Sequence, residues 1–320
     1  MHDDATPQIL AALRSASESA ARAASEQIGR GRGESAESAA ARAMADALTA
    51  LPFCARIAVG QGGEREVASL YDGQLVGRAS CEPAFDLAVD PGEGTTYLAA
   101  GLTNAMTVLA LAPAGAMRVP RPALYMEKFA APVAARGKID PELPVADKLA
   151  ALGKLVGKEI EELAIFALEK PRHRALIDQI REIGAQVTSF PAGDVAGALL
   201  AMLPGSGVDA LMGTGGVREG MLAACAARAL GAEFQARIDP QLQSEQLAVK
   251  QAGLDVERWF GAEDLVTSTQ TYFCATGITT GLLLEGVERI EGRDRVQTLM
   301  IAGCSGESQL QTTWRRLPRA

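Results

Sequence analysis

The sequence predicts an α/β fold in two parts. Three observations lead to it. Between Pro144 and about residue 230, short apolar runs alternate with amphipathic stretches, joined by Gly- and Pro-containing turns. Residues 105–112 form an apolar run of strand length. The N-terminal stretch instead carries its apolar positions at helical spacing. With 320 residues, 48% of them hydrophobic, the chain can bury one large or two medium cores.

In chain order, Ile9, Leu10, Leu13, Ala16 and Ala20 predict an amphipathic helix over 6–28. The Gly- and Arg-rich segment 29–34 breaks it, and Ser35 is placed to cap a second helix that runs to about Leu48. Strands are expected at 55–59, 87–89 and 105–112, the last suited to a central position covered on both faces. Beyond Pro144 the expected series is helix 146–155, strand 163–168, helix 171–183, strand 187–190, helix 195–203, strand 208–212 and helix 220–230. Such alternation predicts a largely parallel sheet. Strands return at 271–275 and 297–302. The change of grammar sets a domain boundary near 145–155, giving an N-terminal domain 1–150 and a C-terminal domain 151–320.

Bulk properties narrow the function. A formal charge of -8 argues against sequence-independent nucleic-acid binding, which needs a basic face. No run of 18 apolar residues marks a membrane span, and the acidic start at Asp3 and Asp4 is unlike a secretory signal. Five dispersed cysteines (Cys54, Cys81, Cys225, Cys274 and Cys304) form no CxxC pair, and they suit a reducing cytoplasm better than a disulfide framework. Only His2 and His173 are histidines, so zinc sites built on several histidines are disfavoured and carboxylates must carry any metal chemistry.

The sharpest motif is Asp90-Pro91-Gly92-Glu93-Gly94-Thr95. An apolar strand delivers Asp90 at its end, Pro91 turns the chain, and Glu93 follows three residues later. Gly94 and Thr95 can then open a helix whose free N–H groups favour a phosphate. Two carboxylates on one turn suit Mg²⁺ or Mn²⁺ shared with phosphate oxygens, and an ordinary capped turn after a strand is the competing reading. Further on, Lys170-Pro171-Arg172 places two cations at a helix start, where they fit either a phosphate clamp or a solvated basic turn. His173 beside them reads as a polar spacer rather than a catalytic base. Tyr125 fits a phosphate or sugar contact as well as a buried structural role. Gly213-Thr-Gly-Gly216 allows close backbone approach, with Glu219 in the next helix's first turn. Its glycine spacing is not that of a dinucleotide loop, and no P-loop occurs.

The blocks around these residues carry a resemblance. Asp-Pro-x-(Asp/Glu)-Gly-Thr is similar to the signature of the lithium-sensitive, metal-dependent sugar-phosphate phosphatases. Leu124-Tyr-Met-Glu-Lys128, Leu143-Pro-x-Ala-Asp147, Lys170-Pro-Arg-His173, Pro191-Ala-Gly-Asp194, Gly213-Thr-Gly-Gly-Val-Arg-Glu-Gly220 and Ala275-Thr-Gly-Ile-Thr279 follow in order. Over roughly residues 20–305 the chain resembles the class II fructose-1,6-bisphosphatases, some of which also take sedoheptulose bisphosphate. The resemblance implies a layered sugar-phosphatase-like fold of two α/β subdomains, and a cytoplasmic homo-oligomer, dimer or tetramer, working in gluconeogenesis or sugar-phosphate metabolism. It implies Mg²⁺ or Mn²⁺ as cofactor and a small sugar bisphosphate as partner, with neither nucleic acid nor membrane. The implied metal ligands, at Glu37, Gln61, Asp90, Glu93 and Glu219, include the catalytic set Asp90, Glu93 and Glu219. The implied substrate contacts are Gly94, Thr95, Tyr125, Lys170, Arg172, Asp194 and Gly216. Hydrolysis of the 1-phosphate would then proceed by in-line attack of water without a covalent enzyme intermediate.

Two implied ligands depart from the family pattern. Ala-Asp-Gly-Ala-Ala stands here as Ala36-Glu37-Ser38-Ala39-Ala40, and Gly-Glu-Gly-Glu stands as Gly60-Gln61-Gly62-Gly63. A carboxylate about 4 Å from a cation is worth roughly 4 kcal/mol at an effective dielectric near 20. Replacing one by the neutral amide of Gln61 therefore predicts a weakened metal position, fewer or looser metals and lower activity. The alternative is a sugar-phosphate-binding relative with weakened chemistry that serves as a sensor or partner subunit.

Overall fold

A computed structural model describes residues 6–30, 33–78, 82–303 and 305–316. The chain opens with helices α1 (Thr6–Ser25) and α2 (Gly33–Leu48), the expected pair, with residues 31–32 of the breaking segment outside the described residues. Strands β1 (Cys54–Val59), β2 (Leu75–Gly77) and β3 (Phe85–Glu93), the short helix α3 (Thr95–Leu98) and β4 (Met106–Pro113) follow. A second stretch runs through β5 (Tyr125–Ala131), α4 (Val145–Val156), β6 (Ala164–Leu168), α5 (Arg174–Ile183) and β7 (Gln186–Phe190). It continues with α6 (Asp194–Met202), β8 (Ala210–Gly216), α7 (Val217–Leu230), β9 (Glu233–Ile238), α8 (Gln243–Gln251), β10 (Trp259–Gly261) and α9 (Ala262–Leu265). The chain then returns to strands β11 (Tyr272–Gly277), β12 (Glu288–Ile290), β13 (Arg293–Ala302) and β14 (Glu307–Arg316).

These elements form two compact units, Met1–Met117 with Ser268–Ala320, and Arg118–Thr267. The division differs from the single boundary expected near 145–155, for two reasons of pairing. β5 is hydrogen-bonded between β8 and β9, so residues 118–144 join the second unit. β11 pairs with β4 over six residues, so the tail returns to the first.

The first unit's sheet has the order β12-β13-β11-β4-β3-β1-β2, with β14 also on β13. The run expected at 105–112 is β4, central and buried along nearly its whole length. Alanines at 16, 20, 21 and 24 of α1 face Ala36, Ala40, Met44 and Leu48 of α2 and let the helices approach closely. Both helices cover Ile57, Leu87, Val89, Leu109 and Leu111 of the sheet. Ser17 of α1 and Thr107 of β4, polar residues buried in that layer, satisfy each other through a hydroxyl–hydroxyl hydrogen bond of 2.6 Å.

The second unit's sheet has the order β10-β9-β5-β8-β6-β7. Helix α4 and the buried Ile180 of α5 pack on Phe129, Ile165, Ala210 and Met212. Neither sheet is largely parallel. Among the described residues only β1–β3, β6–β7 and β6–β8 pair in parallel, and the other pairs are antiparallel. β5, which sequence patterning missed together with β9, runs antiparallel to both of its neighbours, β8 and β9, and so makes the sheet mixed. Glu127, Lys128, Glu233 and Arg237 interrupt their apolar runs and hide the strand signal.

Candidate active site

In the first unit the candidate residues gather at the end of β3. Its register against β4 slips between Asp90 and Glu93, a bulge of the kind that re-aims side chains at a strand end. Both carboxylates are buried, Asp90 at 4% and Glu93 at 6% exposure. The Gly92 N–H donates to Asp90 Oδ1 at 3.1 Å and closes the turn that Pro91 begins. Gly94, at φ +81°, reverses the chain in a conformation that glycine adopts without strain. Its carbonyl then accepts from the N–H groups of Tyr97 and Leu98 and opens α3. Thr95 begins that helix, and its side chain lies outside the described residues. With four residues α3 sums almost no macrodipole, so its contribution to anion binding is its N–H groups alone.

Glu37, on α2, and Gln61, in the loop after β1, meet directly. Gly60 makes this possible, because a Cβ there would lie 2.1 Å from the Leu70 carbonyl oxygen. The Gly60 N–H donates to Asp72 Oδ1 at 2.7 Å and the Gln61 N–H to the Leu70 carbonyl at 2.8 Å, which fixes the loop. The Gln61 amide Nε2 then donates to Glu37 Oε1 at 3.0 Å. Among the described residues no group of three or more His, Cys, Asp or Glu side chains comes together as a metal cage. Asp90 and Glu93, two buried hard-oxygen donors on one turn, fit a hard divalent cation. The Gln61–Glu37 pair does not, since the amide occupies one carboxylate oxygen and adds no charge.

In the second unit Tyr125 opens β5 opposite Gly216, the last residue of β8. The Arg172 guanidinium lies 5.5 Å from the Tyr125 ring centroid, a cation–π arrangement, and its Nε donates to the Thr214 carbonyl at 2.9 Å. Lys170 precedes a 3₁₀ turn, Pro171–His173, where an α-helical start was expected. Proline at the first position of that turn gives up an N–H that would otherwise need a partner. His173 is a structural hub. Its Nε2 accepts the Thr214 N–H at 2.8 Å, which leaves the proton on Nδ1 to donate to the Leu168 carbonyl at 2.8 Å. Burial lowers its pKa, so the neutral ring holds the β8 end against the Lys170 turn.

Asp194 begins α6, after a left-handed Gly193, and forms a buried ion pair with Lys128. Gly215 has no side chain because a Cβ there would fall 1.9 Å from Asp194 Oδ2. Gly216 is the N-cap of α7, and a Cβ there would fall 2.0 Å from Glu219 Oε2. The carboxylate of Glu219 thus curls back over the glycine at the positive end of the helix. Tyr125, Arg172, Gly216 and Glu219 are therefore neighbours around one end of the sheet, with Asp194 beneath it. Sequence reasoning missed Lys128, Thr214 and Asp239 here, the last accepting from the Thr214 hydroxyl at 2.5 Å. The available signal was Lys128 itself, the one cation of its strand.

A protein-family model described as bacterial fructose-1,6-bisphosphatase, glpX-encoded, matches residues 7–314. The chain belongs to that family. All the motif blocks from Ala36 to Thr279 fall inside the match. Among family relatives, a D-fructose 1,6-bisphosphatase class 2/sedoheptulose 1,7-bisphosphatase of Synechococcus sp. (strain JA-2-3B'a(2-13)) is 36% identical over 312 residues, 90% of each chain. A protein of the same description from Crocosphaera subtropica is 34% identical over 320 residues, 92% of each chain.

Proposed function

We infer that the chain hydrolyses the 1-phosphate of fructose 1,6-bisphosphate, with water as second reactant and fructose 6-phosphate and inorganic phosphate as products. Sedoheptulose 1,7-bisphosphate is the second substrate, as in the names of the relatives. The observation that carries the reading is the family match over nearly the whole chain. Phosphoryl transfer to water asks the protein mainly for positioning and charge. Arg172 and Lys170 bind the phosphate oxygens, with Tyr125, held by Arg172, contacting the sugar phosphate. In the second unit Gly216 offers a backbone N–H group and Glu219 a carboxylate, and in the first unit Gly94 and Thr95 offer backbone N–H groups. Asp194 acts through Lys128, fixing the floor under Gly215. Asp90 and Glu93 would hold Mg²⁺ or Mn²⁺, which supplies Lewis-acid polarisation of the phosphoryl oxygen and a more acidic bound water. We place the protein in the cytoplasm as a homo-oligomer. The buried cysteines Cys54, Cys225 and Cys274 suit a reducing compartment, and among the described residues no helix is long and apolar enough to cross a membrane.

One observation favours a second reading, a sugar-phosphate-binding relative with weakened chemistry that acts as a sensor or partner subunit. It is the hydrogen bond that ties Glu37 to Gln61 instead of leaving it to a cation. Phosphate release from fructose 1,6-bisphosphate, with Mn²⁺ titrated into metal-stripped protein, separates the two. Metal-dependent turnover that falls at least about a hundredfold in Asp90→Ala supports the phosphatase. Sugar-phosphate binding without turnover at any Mn²⁺ concentration would establish the second reading.

A further inference from the structure

Strand β14 is ten residues long and exposed along almost all of its length, with Leu310 at 60% and Trp314 at 50% exposure. Residues 298–302 of β13 pair with β11 and with β14, so these two strands lie on opposite sides of β13. β14 is thus an edge, and among the described residues no further strand pairs with it. A long edge with a free row of N–H and C=O groups is a template for another strand. Of the devices that blunt such an edge, proline, lysine and a bulge are missing from 307–316, and its charged residues stand only at the two ends.

We propose that β14 pairs antiparallel with β14 of a second copy of this chain, joining two sheets across a two-fold axis with Thr312 on the axis. The sequence of the strand, Glu307-Ser-Gln-Leu-Gln-Thr-Thr-Trp-Arg-Arg316, selects this occupant and this register. Its charge is polar along the strand, acidic at the first residue and basic at the last two. Antiparallel pairing brings the acidic end of one copy to the basic end of the other. Parallel pairing in register would set Arg315 and Arg316 against themselves.

Symmetry then limits the choices. A two-fold axis through a continuous sheet is perpendicular to it and keeps every side chain on its own face. One residue must therefore lie opposite its own copy. With Thr312 in that position, Leu310 lies opposite the partner's Trp314, and the pair occurs twice. These are the two exposed apolar side chains of the strand, and both sit on the face away from α1. Glu307, Gln309 and Gln311, on the other face, border a cleft against Leu10 and Arg14. In the same register Gln309 and Ser308 oppose the partner's Arg315 and the partner's Arg316. Glu307 is diagonal to the partner's Arg315, within reach of a long side chain. Moving the axis to Gln311 would set Leu310 against threonine and Trp314 against serine. The Thr312 register is therefore the one that buries apolar surface against apolar surface.

Cross-linking tests the register. In a background with Cys81 and Cys304 replaced by serine, Thr312→Cys should form a disulfide-linked dimer under mild oxidation at least tenfold faster than Ser308→Cys, which opposes arginine. Equal rates in the two variants would overturn the register. Independently, Leu310→Lys should halve the mass found by sedimentation velocity at micromolar concentration, with circular dichroism and phosphatase turnover kept. An unchanged mass in the folded variant would overturn the interface itself.

Discussion

At the scale of single residues, glutamine at position 61, where the resemblance implies a carboxylate, has a geometric consequence. The amide does not simply leave a position neutral. It donates to Glu37 and ties down an oxygen that a cation would need. Gln61→Glu removes that donor and sets two carboxylates side by side, which repel each other until a cation joins them. The expected result is Mn²⁺ binding tightened at least about tenfold, or about 1.4 kcal/mol, seen by electron paramagnetic resonance titration. An isotherm identical to that of the parent protein would show that Glu37 takes no part in cation binding. His173 gives a prediction of another kind. Burial holds its pKa below the ordinary 6.5, so between 6.5 and the lowered value the unfolded chain binds a proton that the folded chain refuses. Stability from this group is complete above pH 6.5 and is lost as pH falls through that window. Urea midpoints of the parent should decline there, and His173→Asn should flatten the slope. With only one other histidine, at position 2, the difference between the two proteins isolates this site. The hub role of His173 was half legible: its neighbours marked it as a spacer, but its two bonding partners come from 168 and 214.

Among the elements, α6 shows how packing decides against propensity. A Cβ added at Gly197 would lie 2.3 Å from Cδ1 of the fully buried Phe166. Alanine in place of helical glycine gains up to about 1 kcal/mol of propensity. Forcing Phe166 aside costs about 1–3 kcal/mol, so Gly197→Ala should be destabilising overall. A urea midpoint at or above that of the parent would mean that helix and strand separate easily. The helices up to α7 and most strands were readable because their apolar periods are regular, whereas α8 and α9 were not expected. α4 starts and ends within one residue of the expected span, and β4 within one residue of its run. β5 and β9 were not, since paired charges such as Glu127 with Arg237 sit on neighbouring strands and break each strand's own pattern. The expected strand ended at 212, and the glycine block at 213–216 instead completes β8. Its glycines answer to side chains brought from elsewhere, Asp194 and Glu219 among them.

For the whole molecule, the discontinuous first unit has a consequence for autonomy. Residues 118–267 contain every strand of one sheet, whereas residues 1–117 lack β11, β12, β13 and β14 of the other. A fragment 118–267 should fold alone, with cooperative urea unfolding and a native-like circular dichroism spectrum. A fragment 1–117 should aggregate, because β4 would present an open, apolar edge where β11 belongs. A folded, monomeric 1–117 fragment would show that β11 is dispensable to its core.

The sequence by itself determined the family, the α/β class, the two N-terminal helices and the Asp90–Thr95 turn. Each of these is written in local order: periodicity, proline and glycine placement, or blocks of text in fixed succession. Tertiary structure decided what depends on residues far apart in the chain. It split the units at 118 and 268, made both sheets mostly antiparallel, joined Asp194 to Lys128 and bound Gln61 to Glu37. Strand order and side-chain pairing are settled by which distant surfaces exclude water and satisfy each other's polar groups together, and no local pattern encodes that choice.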